Sequence, residues 1–162
     1  LAGEGAGLGG SLLIAEHGGS DRFPTLPSNP AALVETLGEV ADREATTAVH
    51  DVSHGGLAVT LAEMVTEDAG AAVDLTGSAG ADGAVAGDDS VATLCHEQAG
   101  RAVIETTDPD AVRDAFDGVA PVAEIGTATD DGSLSITTDE TTLAYTAETI
   151  SQFRQTLVEG LE

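Results

Sequence analysis

Apolar residues recur at helical spacing in several stretches of the chain. Leu33, Val34, Leu37, Val40 and Ala41 lie mostly three or four positions apart, so they share one helical face. Ser28-Asn29-Pro30 precedes them, a capping side chain followed by a proline suited to the first helical position. This predicts an amphipathic helix over about residues 30–44. Leu57, Leu61, Met64 and Val65 line a second helix over about 56–69, opened by Gly55-Gly56 and ended by Gly70. A third is expected over about 109–117, with Asp108 as its cap and Pro109 first inside it. Ile150, Phe153, Leu157 and Leu161 share one face of a last helix over about 147–161.

Between these stretches the pattern shortens to strand length. Residues 46–52, 71–75, 101–106, 119–125, 133–137 and 141–145 read as strands, several of them rich in β-branched side chains. Asp131-Gly132 predicts a hairpin joining 119–125 to 133–137. Residues 76–88 lack periodicity and read as a loop, and 90–96 as a short helical turn. There is no internal repeat and no sign of a second domain. The expectation is one α+β domain over residues 1–162, a mixed sheet packed with helices.

Composition sets the surroundings. The chain carries 29 acidic and 5 basic residues, for a net charge of −24. All the basic residues are arginine; there is no lysine. Such a surface repels phosphate backbones and anionic lipids, so nucleic acid and membrane surfaces are excluded as partners. No stretch reaches the length of a spanning helix, and no basic segment leads an apolar one as a signal peptide would. The apolar fraction is 41% but aromatics are only 2%, so the core must come from Ala, Val, Leu and Ile. Carboxylates in place of lysine keep a surface hydrated in concentrated salt, where the Debye length falls to about 3 Å. The chain reads as a protein from the cytoplasm of a salt-accumulating halophile. Cys95 stands alone, so it forms no internal disulfide and no cysteine zinc site, and reads as a small buried hydrophobe. The chain opens on Leu1 and its one methionine is Met64, so it is expected to be part of something longer. Residues 1–10 read as the interior of a glycine-rich loop.

Candidate chemistry concentrates in residues 48–64, AVHDVSHGGLAVTLAEM. A strand carries His50, Asp51 and Ser53 to its carboxyl end, Gly55-Gly56 turns the backbone, and a helix begins. Free N–H groups at such a start favour an anion such as phosphate. Asp51 is the candidate ligand for Mg²⁺, which takes one or two carboxylates and leaves its other positions to phosphate and water. A tight turn with a satisfied aspartate is the structural alternative. Ser53 fits a nucleophile elbow poorly, because Asp51 stands where the first glycine belongs. His50 and His54 have a zinc spacing only on a continuous helix, which the glycines preclude. His17 reads as solvated. Gly9, Gly10 and Ser11 form a second glycine-rich element, which on its own reads as a turn.

The order of these motifs resembles a known family. LGGS (8–11), the 30–44 helix, AVHDVSHGGLAVTLAEM, LCHEQAGR (94–101), VIETTDP (103–109) and IGTAT (125–129) follow one another. This is similar to the last domain of the formylglycinamidine ribonucleotide synthase family, a domain of the aminoimidazole ribonucleotide (AIR) synthetase C-terminal type. The resemblance covers essentially the whole chain. It implies a parent ligase of purine biosynthesis in which ATP activates an amide oxygen and ammonia from glutamine then displaces phosphate. It implies ATP/ADP and Mg²⁺ as cofactors of that parent. The implied partners are the rest of the synthetase chain, a glutaminase subunit and a small PurS-type subunit. By the family's internal pseudo-symmetry Asp51 matches a Mg²⁺-binding aspartate, and Gly55-Gly56 faces a nucleotide or phosphate at a non-catalytic site. Gly9, Gly10, Ser11, Ser53 and Glu97 join that candidate cofactor set, with Glu97 and Arg101 forming a Glu-x-x-x-Arg element. No catalytic residue carries over. His54, Ala99 and Leu12 depart from the family pattern, which suits a structural half. The alternatives are another ATP-using relative (AIR synthetase, thiamine-phosphate kinase, selenophosphate synthetase) and a packing and interaction module without activity.

The charge balance predicts that the fold loosens as carboxylate repulsion is unscreened. Far-UV circular dichroism should lose amplitude between about 3 M and about 0.05 M salt, and an unchanged spectrum would refute the reading.

Overall fold

In the computed structural model, residues 7–77 and 90–159 are described, with side chains to residue 155. In chain order they form α1 (Leu12–His17), α2 (Pro30–Ala41), β1 (Thr46–Asp51), α3 (Gly56–Met64), β2 (Gly70–Asp74), α4 (Ser90–Cys95), β3 (Ala102–Thr106), α5 (Pro109–Phe116), β4 (Gly126–Thr129), β5 (Ser133–Thr137), β6 (Thr142–Thr146) and α6 (Ala147–Glu159). The α+β expectation holds. The chain divides into two compact units: Leu1–Thr60 with Gly77–Glu124, and Leu61–Thr76 with Ile125–Glu162. Among the described residues, no helix is long and apolar enough to cross a membrane.

The first unit is built around α2, α5 and a two-stranded antiparallel ribbon of β1 and β3. Asn29 caps α2, its side-chain oxygen accepting from the Ala32 N–H at 3.2 Å. Asp108 caps α5 in the same way, accepting from Ala111 at 3.1 Å. Both caps stand immediately before a proline, as the sequence predicts. Helix α2 ends three residues earlier than expected, because the Thr46 hydroxyl donates to the Val40 carbonyl at 2.7 Å and leads the chain into β1. Leu33 and Val40 meet Val112 and Phe116, with Leu37, Ile104, Val119, Ala120 and Val122 packed around them. Arg43 crosses to this helix pair and donates to the Ala111 carbonyl at 2.6 Å. Arg113 of α5 pairs instead with Asp110 and Glu124.

Residues 119–125 are not the predicted strand. Val119, Ala120 and Val122 cover the Phe116 cluster, so consecutive residues face the same core. The N–H groups of Val119 and Ala120 both return to the Phe116 carbonyl. Pro121 has no N–H to give a ladder. The strand starts only at Gly126.

In the second unit the sheet order is β4-β2-β5-β6. β2 pairs antiparallel with β4 and parallel with β5, and β5 pairs antiparallel with β6. Asp131-Gly132 therefore makes a turn but no hairpin, because β2 lies between the strands it joins. The turn chemistry is as expected: the Asp131 carboxylate accepts from the Thr129 hydroxyl and from the Ser133 N–H and hydroxyl. The pairing is set by close approach. A Cβ on Gly70 would lie 2.2 Å from the Ser133 carbonyl oxygen, so glycine lets β2 come alongside β5. Gly70 thus opens a strand and does not end α3, which stops at Met64. Leu134 and Ile136 of β5 are buried on alternate positions, as is Val73 of β2. Arg154 of α6 donates to the Ala62 carbonyl at 2.6 Å, in the last turn of α3. Ile150 on the predicted face of α6 is buried, whereas Phe153 is largely exposed and meets Tyr145 edge-on, ring centroids 6.1 Å apart. Leu157 and Leu161 of that face, residues 1–6 of the opening loop and residues 78–88 of the predicted loop lie outside the described residues.

Phe116 has no exposed surface. Replacing it by alanine should cost about 3–5 kcal/mol. Urea unfolding in concentrated salt measures this.

Candidate functional site

β1 delivers Asp51 to its carboxyl end, and the next residues turn through the glycine pair. Gly55 and Gly56 both have positive φ, +82° and +70°. That conformation is open to glycine at little steric cost. Gly56 has a second reason to lack a side chain, since a Cβ there would lie 2.5 Å from the Leu94 carbonyl oxygen. Its N–H bonds back to the Ser53 carbonyl at 3.0 Å. The buried Thr60 hydroxyl reaches the carbonyl oxygens of Gly56 (3.1 Å) and Asp51 (3.2 Å), locking the first turn of α3 to the strand end.

The glycine-rich element at residues 8–11 is a turn followed by a helix. Sequence periodicity is too short to reveal α1, which has six residues. The Leu8 N–H donates to the Asp21 carboxylate at 2.8 Å, and the Gly9 N–H to the Arg22 carbonyl at 2.9 Å. The backbone N–H groups of Leu8 and Arg22, with the Arg22 charge, hold the Asp21 carboxyl below the usual carboxylate range. Gly10 takes φ +81°. Ser11 is buried and caps α1, its Oγ accepting from the Ile14 N–H at 3.4 Å.

One oxygen joins the two elements. Glu97 Oε1 accepts from the Leu12 N–H at 2.7 Å and from the Gly55 N–H at 2.8 Å. The structure therefore brings the Gly9-Gly10-Ser11 turn, Gly55 and Glu97 together. Gly56 sits beneath Leu94 and Cys95. Ser53 is exposed. Asp51 points to solvent, its side chain 74% exposed, with His50 Nδ1 3.8 Å from its carboxylate. Among the described residues no group of three or more His, Cys, Asp or Glu side chains converges as a metal site. What these residues offer Mg²⁺ is one exposed carboxylate, and the Gly55 amide is engaged by Glu97. His17 is exposed, as expected, and Cys95 is half-buried where full burial was expected.

Sequence reasoning missed the interior side of the same segment. His96, Gln98 and Arg101 are all buried, while Glu97 between the first two faces the other way. That alternation is the signal the sequence did carry. Arg101 Nη1 donates to the His96 carbonyl at 3.3 Å, and burial lowers the guanidinium pKa to about 10. Burial, then the Arg101 charge, lowers the His96 pKa to about 4, so the imidazole is neutral. Neither ring nitrogen of His96 has a hydrogen-bond partner, nor does Gln98 Oε1, although Gln98 Nε2 donates to the Thr25 carbonyl at 3.2 Å.

Comparison with known proteins places this geometry in a family. The model of the "AIR synthase related protein, C-terminal domain" family matches residues 1–139. The chain is 52% identical over 155 residues to the phosphoribosylformylglycinamidine synthase subunit PurL of Natronomonas pharaonis, covering 96% of this chain and 20% of that protein. It is 51% identical over 154 residues to the protein of the same name from Haloarcula marismortui, covering 95% and 20%. The like-named Methanosarcina mazei protein is 31% identical over 110 residues, 68% of this chain and 14% of that protein. The chain spans about a fifth of the length of the first two. It belongs to the AIR synthase related C-terminal domain family.

His96 gives the fold a pH dependence of known sign. Its ordinary pKa is 6.5 and its folded one about 4, so between those values the unfolded chain takes a proton that the folded chain refuses. The contribution of His96 should be constant above pH 6.5 and should fall as the pH drops toward about 4, by on the order of 3 kcal/mol. The lowered carboxyls of Asp21, Asp74 and Asp131 weaken the fold in the same direction but mainly as the pH approaches and passes 3.8. Urea midpoints across the upper window should slope in the native chain and lose most of that slope in His96→Leu.

Proposed function

We propose that this chain serves as the C-terminal domain of a phosphoribosylformylglycinamidine synthase. The observation that carries the reading is the match to relatives of that name over 93–100% of this chain at 44–52% identity, while it accounts for only about a fifth of their length. The parent reaction is the ATP- and ammonia-dependent amidination of formylglycinamide ribonucleotide, in a salt-rich cytoplasm. ATP and Mg²⁺ serve that reaction through the rest of the parent chain. The rest of that chain, a glutaminase subunit and a small PurS-type subunit are the proposed partners.

Within the parent, this domain supports. The Gly55 amide, which the strand–glycine–helix pattern offers to a phosphate, has the chain's own Glu97 as acceptor at 2.8 Å. Asp51 contributes one solvent-facing carboxylate. A turn tied in this way positions the segments around it. It does not by itself bind a nucleotide.

The test is amidination by the complete synthase in concentrated salt. Deleting the residues of this chain should abolish activity, and Asp51→Asn should leave most of it. Full activity after the deletion would refute the assignment to the synthase. Collapse in Asp51→Asn, with the fold intact, would return Asp51 to the role of Mg²⁺ ligand.

A further inference from the structure

The two amides that meet at Glu97 come from well-separated stretches of the first unit's sequence. Leu12 opens α1, and Gly55 stands immediately before α3. A single carboxylate oxygen takes both, at 2.7 and 2.8 Å. Charge-assisted bonds of this length are strong ones. One anionic oxygen shared by backbone N–H groups of separate glycine-rich turns is also how such turns hold a phosphate.

The half-buried carboxylate is brought there by the packing of its own segment. The Leu94 carbonyl and the Cys95 backbone lie where a Gly56 Cβ would be, at 2.5 and 2.8 Å. Two residues later the same segment presents Glu97, anchored on either side by the buried His96 and Gln98. The packing that makes Gly56 obligatory therefore also delivers the carboxylate to Gly55.

We propose that Glu97 is the resident anion of this turn. It holds the position a phosphate oxygen would take, and so determines that the turn excludes phosphate groups. Glu97 is a specificity residue acting by occupancy. This role rests on the hydrogen-bond geometry and does not depend on the synthase assignment.

The experiment is a titration of the ¹⁵N-labelled 162-residue chain with inorganic phosphate in concentrated salt, followed at the Leu12 and Gly55 amides. In the native chain both should stay still. In Glu97→Ala both should shift and saturate, with affinity at least about tenfold above any native binding. Glu97→Gln keeps an acceptor in place without its charge and should fall between the two. Should the alanine variant fail to fold, the glutamine variant decides: a gain over the native chain at these two amides supports the proposal, and no gain overturns it. Native binding as tight as that of the variants also overturns it, as do variant shifts that spare Leu12 and Gly55. None of these outcomes reads amidination, so the synthase assignment stands or falls separately.

Discussion

A pair of hydrogen bonds, from two backbone amides to one carboxylate oxygen, organises the site-bearing part of this chain. Glu97 lies 85 positions from Leu12 and 42 from Gly55. Joining them fixes three segments at once: the glycine-rich turn before α1, the turn before α3, and the stretch after α4. Each segment needs its glycines or its cap for the meeting to occur. Gly55 must have positive φ, Gly56 must lack a Cβ, and Ser11 must start α1. The buried trio His96, Gln98 and Arg101 holds the other side of the Glu97 segment. A charged side chain thus does work that an apolar contact could not, because it satisfies donors that would otherwise need water or a ligand.

The parts of the fold that were legible in the sequence are those set by local chemistry. Asn29-Pro30 and Asp108-Pro109 mark helix starts because cap and proline act within a few residues of each other. Thr46–Asp51 and Ala102–Thr106 are strands whose β-branched residues show in the sequence. What failed depended on distant partners. The segment from Val119 to Val122 has strand-like composition, but the Phe116 cluster needs it as an irregular cover. Asp131-Gly132 makes its turn correctly, yet only the close approach of Gly70 to Ser133 tells that β2 takes the neighbouring place.

The site divides in the same way. The glycine pairs announce themselves, because few sequences place adjacent glycines between a strand and an apolar helix without reason. Glu97 entered through resemblance alone. Nothing local to it reveals that its acceptor oxygen faces Gly55, and a reader of residues 48–64 would assign the amide there to a phosphate. The neutral His96 was equally hidden, since a histidine beside a glutamate looks like a surface pair until burial of the imidazole is known. The family match runs through residue 139, and within that span the domain's own Glu97 carboxylate ties its two glycine-bearing turns together.

The few arginines carry a consequence for the absence of lysine. Arg43, Arg101 and Arg154 each donate to a main-chain carbonyl, at Ala111, His96 and Ala62. A planar guanidinium is weakly hydrated and reaches such an oxygen with a preset fork, whereas an ammonium is compact and strongly hydrated. Contacts of this kind also lie outside the competition between carboxylates and dissolved cations that governs the acidic exterior. The molecule therefore has two kinds of charge that respond differently to its medium: an outer layer of negative charge that takes its behaviour from the surrounding brine, and a few guanidinium groups bound to neutral main-chain oxygens, of which Arg101 is buried away from that brine. Trading Arg101 for lysine would keep the net charge and still put a more strongly hydrated cation in that buried position.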